Sequence, residues 1–379
     1  MNKIKYIGFH HCYDNRLKMN YGLAGTNKME YVAKVLSKNL NLNVSLVSPS
    51  WYNSNYQTYN GAGNIYYDKI YYPKTVKTKG KILGYLNILY ANIWLTFFLL
   101  FKTSKNEDIL VYHSPWLALP IIISKKLKRF NLILEVEEIY GSVWKMPKFF
   151  NYLEKVIIEK ADSYILVSEK LGKLLPEKPS VVLYGSYWQL AKKATHVNNS
   201  NKIKVVYSGA IDSFLGGVFN LIESAKYLNT DFEIHILGYG SSEELSKLEN
   251  AIEKNNNLQS TATIYFHGVK YGDEFNAFLQ DCHIGVNAQY EGNHMNSAFP
   301  SKILTYLSNN LLVVSTNIDS IKESSISQSI NFSKDDSAKN IAECIENTSS
   351  QINTNHPNVI EKLEDSFIKG IGKLLIKRT

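Results

Sequence analysis

The sequence predicts an α/β protein built from two doubly wound domains, each a parallel β-sheet with helices on both faces. Three observations support this prediction. Strand-like and helical runs alternate along the chain, the alternation restarts at Lys204–Tyr207 after the polar stretch Lys192–Lys202, and the length of 379 residues suits two domains of ordinary size. In such an architecture a ligand is expected in the cleft between the domains, at the carboxyl ends of the strands.

The first predicted domain comprises residues 1–196 and the second residues 197–355. Short runs rich in β-branched and aromatic residues are interpreted as strands, and longer runs with apolar residues three or four apart as helices. In the first domain the strands are Ile4–Phe9, Asn43–Val47, Ile109–His113, Leu132–Val136 and Ser163–Val167, and the helices are Asn27–Asn39 and Tyr152–Lys160. In the second domain the strands are Lys204–Tyr207, Glu233–Leu237, Thr263–Phe266, His283–Asn287 and Leu311–Ser315, and the helices are Val218–Tyr227, Glu243–Lys254 and Glu274–Gln280. A last helix, Val359–Lys377 within residues 356–379, is a candidate to pack back on the first domain.

Composition restricts the class of protein. Hydrophobic residues make up 45% of the chain and charged residues 20%, which is typical of a globular protein rather than a disordered one. Cys12, Cys282 and Cys344 lie far apart and in no metal-binding spacing, so we expect a reduced, cytosolic protein without a metal. The start of the chain, Met1–Lys5, leads directly into a strand-like run, so no secretory signal is predicted.

Positive charge is concentrated in the first half of the chain. Residues 1–196 contain 27 Lys and Arg against 13 Asp and Glu, whereas residues 197–379 contain 15 against 21. A basic half favours an anionic surface as partner, either nucleic acid or the cytoplasmic leaflet of a membrane. The chain has only three arginines and no recognised nucleic-acid module, so we expect no nucleic acid as partner. The alternative to a membrane is a solvated lysine-rich surface.

The run Ile82–Phe101 is twenty residues without a charge, which is long enough to cross a membrane. Asn87 and Asn92 interrupt it, and the strand Ile109–His113 follows almost at once. A helix that connects two strands of one parallel sheet must return the chain to that sheet, which a membrane span would prevent. We therefore expect a buried or membrane-dipping helix, with the protein associated peripherally with the inner face of the cytoplasmic membrane.

Glycine-containing turns follow two strands of the second domain. Gly209 comes after Lys204–Tyr207, and Gly238 and Gly240 come after Glu233–Leu237. Glycine allows the backbone to approach a ligand closely, and the amides that begin the next helix attract phosphate oxygens. Either turn alone is compatible with a tight connection that binds nothing. Two such turns in one parallel sheet favour a nucleotide site.

The segment Phe299–Ser308 is the most specific functional signal. Pro300 suits the first turn of a helix, where its missing amide costs nothing. The free amides near Ser301, together with the Lys302 ammonium, predict an anion site for a diphosphate. The alternative is a capped helix that carries a surface lysine.

Motifs in chain order resemble the retaining GT-B glycosyltransferases of family 4. In the second domain they are Val206-Tyr207-Ser208-Gly209, Ile236-Leu237-Gly238-Tyr239-Gly240, Phe266-His267-Gly268-Val269, Phe299-Pro300-Ser301-Lys302 and Val313-Val314-Ser315-Thr316. In the first domain they are Gly22–Lys28, Leu134–Gly141 and Ala161–Ser168. The resemblance covers nearly the whole chain and implies two Rossmann-like domains with an interdomain cleft. It implies transfer of a sugar, with retention, from a nucleoside diphosphate sugar, with no cofactor.

The resemblance also implies roles for individual residues. Lys302 would stabilise the negative charge that grows on the leaving diphosphate. The acceptor hydroxyl would attack on the leaving-group face and pass its proton to the departing phosphate oxygen, so that no protein nucleophile is required. Glu137 and Glu138 are the catalytic candidates of the first domain, in contact with the acceptor or the donor sugar. His10 and His11 lie on the acceptor side at the end of the first strand, and at most one of them is expected to face the substrate. The implied donor-binding residues are Gly25, Gly209, Gly238, Gly240, Val269, Lys270, Ser301, Lys302 and Thr305.

The chain departs from the family pattern at the donor site. The two glutamates that the family carries around this helix correspond to Ser297 and Thr305, and no basic residue occurs between Gly209 and Gly217. Thr305 would bind a ribose more weakly than a glutamate, and Glu291 is a candidate substitute. These losses leave open a non-catalytic partner of a glycosyltransferase complex. A sugar-nucleotide epimerase is the other alternative, although it would not need a basic, aromatic first domain.

The expected setting is the synthesis of a bacterial surface polysaccharide, either capsule, O-antigen or exopolysaccharide. The partners would be a UDP- or GDP-linked sugar and a polyprenyl-linked saccharide acceptor. This expectation depends on the resemblance and on the basic half of the chain, because no motif in the sequence specifically recognises lipid.

Overall fold

The computed structural model describes residues 3–11, 14–53, 66–75, 77, 81–105, 107–143, 145–188, 202–214, 217–292, 298–352 and 358–375. The chain divides into two compact units, Met1–Ser186 with Glu364–Thr379, and Tyr187–Leu363. This division lies earlier than the boundary at residue 196 that the sequence suggested. The polar stretch that suggested that boundary lies almost entirely outside the described residues.

Among the described residues, seven parallel strands form the sheet of the first unit. They are β1 (Lys3–Ile7), β2 (Asn43–Val47), β3 (Lys69–Tyr71), β4 (Asp108–Tyr112), β5 (Asn131–Val136), β6 (Ser163–Leu166) and β7 (Ser180–Val182). The helices are α1 (Leu23–Lys34), α2 (Lys81–Lys102), α3 (Pro115–Lys128), α4 (Tyr140–Val143), α5 (Lys148–Lys160) and α6 (Glu169–Gly172). The strand order is β3-β2-β1-β4-β5-β6-β7, so the winding reverses between β1 and β4.

The described part of the second unit contains a six-stranded parallel sheet. Its strands are β8 (Ile203–Ala210), β9 (Phe232–Tyr239), β10 (Thr263–Phe266), β11 (Ile284–Asn287), β12 (Leu312–Ser315) and β13 (Asn331–Phe332). The helices are α7 (Gly217–Ser224), α8 (Ser242–Asn256), α9 (Gly272–Gln280), α10 (Lys302–Ser308), α11 (Asp319–Lys322), α12 (Ala338–Ser349) and α13 (Val359–Leu374), which continues into the first unit. The strand order is β10-β9-β8-β11-β12-β13, and the winding reverses between β8 and β11.

The predicted fold class of two doubly wound α/β domains is confirmed. Both sheets are parallel, and in the described part of the chain helices connect most successive strands. Apolar residues such as Val205, Ile234 and Val286 fill the buried positions of the central strands of the second sheet. Ile341 and Ile345 of α12 pack into the same core, which excludes water from that face of the second sheet.

Several local predictions were wrong or incomplete. The helix predicted over Asn27–Asn39 begins at Leu23 and ends as a π-helical turn at Val35–Asn39. Gly25, expected in a loop, therefore lies in the first turn of α1, where a Cβ would approach the Tyr112 ring to 3.3 Å. The sequence prediction also omitted α3, α12 and the edge strands β3, β7 and β13, because α3 is a nearly continuous apolar run and the edge strands have only two or three residues.

The last helix packs on the first unit from Glu364 onward. Lys34 of α1 forms an ion pair with Glu364 at 3.2 Å, and the rings of Tyr31 and Phe367 lie 6.2 Å apart between centroids. The Asn131 side chain donates a hydrogen bond to the Leu374 carbonyl at 3.2 Å. The amphipathic face of α13 thereby covers part of the first unit.

Gly285 of β11 provides a test of how α10 is seated on the second sheet. A Cβ at Gly285 would lie 2.3 Å from Tyr306 Cγ, so the tyrosine ring occupies the space of the missing side chain. We predict that Gly285→Ala lowers the free energy of unfolding by about 1–3 kcal/mol through overpacking. Thermal or urea unfolding should show a smaller cost of Gly285→Ala in a Tyr306→Ala background. Equal costs in the two backgrounds would contradict this packing.

Candidate functional site

A cavity of about 440 Å³ opens at the carboxyl ends of β8 and β9, beside the start of α10. This edge of the sheet lies next to the point where the winding reverses, which is where open α/β sheets bind ligands. The predicted donor residues that line the cavity are Gly209, Gly238, Val269, Lys270, Ser301, Lys302 and Thr305. Its other lining residues are Ser208, Ala210, Leu237, Tyr239, Tyr271 and Phe275.

Lys302 places its ammonium group at this cavity. Among the described residues, no carboxylate pairs with it. The residue is half-buried, and its Nζ lies 3.8 Å from the centroid of the Tyr207 ring. Desolvation lowers the pKa of Lys302 from 10.5 to about 7. The face of an aromatic ring compensates only part of the lost hydration of an ammonium. An anion that enters the cavity would therefore gain an ion pair without breaking one that already exists.

Two glycines bring the chain close to Lys302. Gly209 has φ of +144°, a conformation that favours glycine, and a Cβ there would lie 3.3 Å from Lys302 Nζ. A Cβ at Gly238 would lie 2.1 Å from the Gly209 carbonyl oxygen. Gly238 therefore lets the ends of β8 and β9 approach each other at the cavity, and Gly209 leaves room for the Lys302 ammonium. Gly240 does not line the cavity, and its Cβ would lie 2.8 Å from the Ile211 carbonyl oxygen, so its role is in the turn.

Tyr306 links the helix that carries Lys302 to the neighbouring strands. Its buried hydroxyl accepts a hydrogen bond from the Ser208 amide at 2.9 Å and donates to the Val286 carbonyl at 3.4 Å. These contacts connect α10 to β8 and β11 and thereby hold Lys302 beside Gly209. Sequence reasoning did not find Tyr306 or Tyr207 as site residues. The only signal for Tyr306 was its position four residues after Lys302, one turn along the same helix.

The rest of the cavity lining is largely apolar and aromatic. Val269, Tyr239 and Tyr271 are exposed, so their surfaces are accessible to a flat ligand. Lys270 differs from Lys302, because its Nζ pairs with Glu274 at 2.5 Å and its charge is already compensated. The cavity thus combines one uncompensated cation with an aromatic wall, which suits a phosphate joined to a ring.

The polar residues of α10 contribute less than the family pattern would. Ser301 is exposed, and the Thr305 hydroxyl donates to the Ser301 carbonyl at 3.4 Å within the same helix. Ser297, the position of the other missing glutamate, lies outside the described residues. Glu291 is not in the cavity lining, and its carboxylate accepts the Asn317 amide at 3.1 Å after β12. Glu291 therefore caps a turn at that position.

In the first unit, the predicted acidic segment belongs to a buried charge network. The Lys28 ammonium forms an ion pair with Glu137, lies 3.6 Å from Glu135 Oε1 and donates to the Leu183 carbonyl at 2.9 Å. Glu135 is fully buried, and desolvation raises its pKa to about 7 against the lowering effect of Lys28. Glu137 is partly exposed and Glu138 half-buried, so only part of each carboxylate is open to a ligand.

His10 and His11 follow β1, which ends at Ile7 rather than at Phe9. Both side chains are buried, so neither presents an open face, whereas the sequence had allowed at most one of them to face the substrate. His10 Nε2 lies 3.4 Å from Glu30, and the His11 amide donates to the Thr26 hydroxyl at 3.3 Å. Burial, followed by the charge of His10, lowers the pKa of His11 to about 4. These contacts support a structural role in joining β1 to α1.

Comparison with known proteins identifies the cavity-bearing unit. Residues 202–351 match the family described as glycosyl transferases group 1. No curated protein sequence matches the chain significantly. The match covers the second sheet from β8 to the end of α12, together with every residue that lines the cavity. Residues 202–351 are therefore similar to group 1 glycosyltransferase domains.

Solved structures share the fold over the whole chain. Sucrose-phosphate synthase from Thermosynechococcus elongatus is similar with a TM-score of 0.66 at 11% identity, covering 99% of this chain and 98% of that one. Anabaena HepE in complex with UDP has a TM-score of 0.61 at 10% identity, covering 98% of each chain. The lipopolysaccharide outer core galactosyltransferase WaaB in its apo form has a TM-score of 0.59 at 12% identity, covering 98% of each chain. The GT-B fold is thereby confirmed, whereas membership of family 4 and retention stay predictions.

The depressed pKa of Lys302 predicts a pH-dependent cost to folding. The unfolded lysine, with a pKa near 10.5, binds a proton that the folded one releases above about pH 7. The free energy of unfolding therefore carries no cost from Lys302 at high pH and decreases as pH falls from 10.5 to 7. We predict that Lys302→Met raises the unfolding midpoint of the ligand-free protein, by an amount that grows between pH 9 and pH 7. A pH-independent difference between variant and wild type would contradict a desolvated lysine.

Proposed function

We propose that the protein is a glycosyltransferase that moves a sugar from a UDP- or GDP-linked donor to a saccharide acceptor. The observation that supports this most strongly is the cavity of the group 1 domain, where Lys302 stands without a carboxylate partner among the described residues. A nucleoside diphosphate supplies both groups that the cavity suits, an anion for Lys302 and a ring for the wall at Val269 and Tyr271. HepE, which shares the fold, was solved with UDP.

In the proposed mechanism, Lys302 acts on the leaving group. As the bond between the sugar and the diphosphate breaks, negative charge grows on the phosphate oxygen, and a preorganised cation in a partly dry cavity stabilises it. The incoming diphosphate would raise the pKa of Lys302 again, so the ammonium is charged when the donor is bound. A hydrogen bond of this charged type contributes about 1.5–3 kcal/mol.

We propose that transfer proceeds with retention at the anomeric carbon, without a metal or other cofactor. The acceptor hydroxyl would attack on the face that the diphosphate leaves, and the departing phosphate oxygen would take the hydroxyl proton. The new glycosidic bond then replaces the sugar–phosphate bond, and no protein nucleophile is needed. Glu137 and Glu138 remain the candidates for sugar contacts in the first unit, with Glu137 oriented by Lys28.

We further propose a polyprenyl-linked saccharide as acceptor, in the synthesis of a bacterial capsule, O-antigen or exopolysaccharide. Two observations favour it: the structural likeness to WaaB and the excess of 27 basic over 13 acidic residues in residues 1–196. The enzyme would work in the cytoplasm, associated peripherally with the inner membrane. Other structural neighbours are sucrose-phosphate and trehalose-6-phosphate synthases, so the fold alone does not select the acceptor.

A non-catalytic partner subunit is the second candidate. It is favoured by Thr305, which lines the cavity in place of a family glutamate and whose hydroxyl donates to the Ser301 carbonyl of its own helix. Such a protein would keep the fold and lose turnover. Donor hydrolysis or transfer by the purified protein separates an enzyme from a partner that only binds nucleotide.

Nucleotide binding can be measured as thermal stabilisation by UDP and by GDP. A ligand that binds only the folded state raises the unfolding midpoint according to its affinity. We predict that one of the two nucleotides stabilises the wild type and that Lys302→Ala loses at least tenfold in affinity. Lys322→Ala, which changes an exposed lysine of the same unit, serves as the charge-matched control. If neither nucleotide stabilises the folded wild type, the transferase proposal fails.

Restoring the family glutamate gives a gain-of-function test. If Thr305 occupies the ribose-binding position, Thr305→Glu should provide two acceptor oxygens for the ribose hydroxyls, and the midpoint shift with the preferred nucleotide should increase. Free pyrophosphate, which has no ribose, should show no such gain and serves as the ligand control. Weaker nucleotide binding by Thr305→Glu would show that the position does not face the ribose.

A further inference from the structure

The long helix α2 turns large apolar residues outward. Among the described helices, it is the one long and apolar enough to cross a membrane, and only 22% of its most apolar stretch is buried. Ala91, Leu95 and Leu99 form its buried side. Its exposed apolar residues are Ile82, Leu83, Tyr85, Leu86, Leu89, Tyr90, Ile93, Phe97 and Phe101. The helix is therefore apolar on its outward side as well as on its buried side, unlike the usual surface helix, which turns polar residues outward.

Helix α3 extends this surface. The two helices pack together, and the Ser124 hydroxyl of α3 lies 3.5 Å from the Thr96 carbonyl of α2. The exposed apolar residues of α3 are spaced three or four apart and lie on one side of the helix: Trp116, Leu119, Ile123 and Leu127. We call the exposed apolar residues of both helices the α2–α3 face. Monomeric soluble proteins rarely leave so many large apolar side chains together in water, so a partner is expected.

The topology excludes a membrane crossing by α2. The helix connects β3 to β4, and both strands belong to the same parallel sheet. Its buried side packs within the first unit over much of its length. A lipid partner would therefore contact one side of α2, with the helix lying along the membrane surface.

The charges on the two helices are of one sign. Neither Lys81–Lys102 nor Pro115–Lys128 contains an acidic residue, and their basic residues are Lys81, Lys102, Lys125, Lys126 and Lys128. Exposed tyrosine and tryptophan side chains, such as Tyr85, Tyr90 and Trp116, are of the type that prefers the headgroup region of a bilayer. A second copy of this chain would bring two basic surfaces together, whereas an anionic bilayer would neutralise them.

A basic cavity of about 470 Å³ adjoins the end of α3. Lys125, Lys126, Arg129, Phe130, Asn131, Lys160 and Asp162 line it. Asp162 pairs with Lys125 at 2.5 Å, and among the described residues Lys126, Arg129 and Lys160 have no carboxylate partner. Lys126 is also exposed beside Leu127 of the α2–α3 face. The cavity thus offers three uncompensated cations next to the apolar surface.

We propose that the α2–α3 face docks on an anionic phospholipid bilayer, with its apolar side chains at the headgroup–acyl boundary and a lipid phosphate in the basic cavity. The helix axes lie in the plane of the membrane. This inference rests on the proposed function in one respect: a lipid-linked acceptor gives the enzyme a reason to bind a membrane. The chemistry of the surface is independent of the donor cavity, which lies in the other unit.

Binding to vesicles of phosphatidylglycerol and of phosphatidylcholine, measured by flotation of the full-length protein, tests the proposal. We expect binding to the anionic vesicles that weakens as salt is raised, and at least tenfold weaker binding to the neutral ones. Leu86→Gln/Leu89→Gln, at side chains 55% and 56% exposed, should weaken binding to anionic vesicles at least tenfold. Leu174→Gln/Leu258→Gln, at side chains 59% and 44% exposed, is the matched control and should bind as the wild type does.

The basic cavity has its own variant pair. Lys126→Gln/Lys160→Gln should weaken binding to anionic vesicles severalfold and flatten its salt dependence, whereas Lys254→Gln/Lys322→Gln, with the same charge change at exposed lysines of the second unit, should not. Thermal stabilisation by nucleotide should be equal in all four variants and the wild type, which reports folding and keeps this test separate from that of the donor site.

The proposal is overturned if folded wild type fails to float with anionic vesicles, or if the face variant binds them as well as its control. It is also overturned if the wild type binds no vesicles and sediments as a dimer, and if Leu86→Gln/Leu89→Gln converts that dimer to a monomer. The α2–α3 face would then be an interface between copies of this chain.

Discussion

The function argued for this protein depends on one lysine that the fold keeps partly out of water without giving it a carboxylate. Lys302 lies over the Tyr207 ring, and desolvation lowers its pKa to about 7. This arrangement costs stability in the free protein, which indicates a role in binding. By contrast, Lys270 of the same cavity pairs with Glu274. The missing counterion is supplied most readily by a ligand, and a diphosphate has the charge to do so.

The surrounding structure serves to hold that lysine in place. Tyr306 connects α10 to β8 and β11 through its hydroxyl, and Gly285 leaves room for its ring. Gly209 and Gly238 let the strand ends approach Lys302 at the cavity. The first unit has a different chemistry, with its charges paired in the network of Lys28 and its apolar residues on the α2–α3 face. The proposed donor pocket and the proposed membrane surface lie on separate units, which is compatible with a soluble donor and a lipid-linked acceptor.

Much of the fold was predictable from the sequence, because alternating strand and helix runs reflect local burial. The segment around Pro300 and Lys302 was also predictable, since it combines a helix start with a cation. The contacts of Tyr207 and Tyr306 were not, because they join positions about a hundred residues apart whose register only the folded sheet sets. The start of α1 was missed because Gly22 provides no side-chain cap. Hydrophobicity predicted the length of α2, but not which of its sides faces outward.

The central claim is that desolvation lowers the pKa of Lys302 while the cavity is empty and that a bound diphosphate raises it again. Calorimetric titration of the preferred nucleotide at pH 8, in buffers of different ionisation enthalpy, measures the protons taken up on binding. The account predicts an uptake approaching one proton at pH 8 that falls at lower pH and is absent in Lys302→Met. Binding of the nucleotide without proton uptake, or the same uptake in the variant, would contradict it.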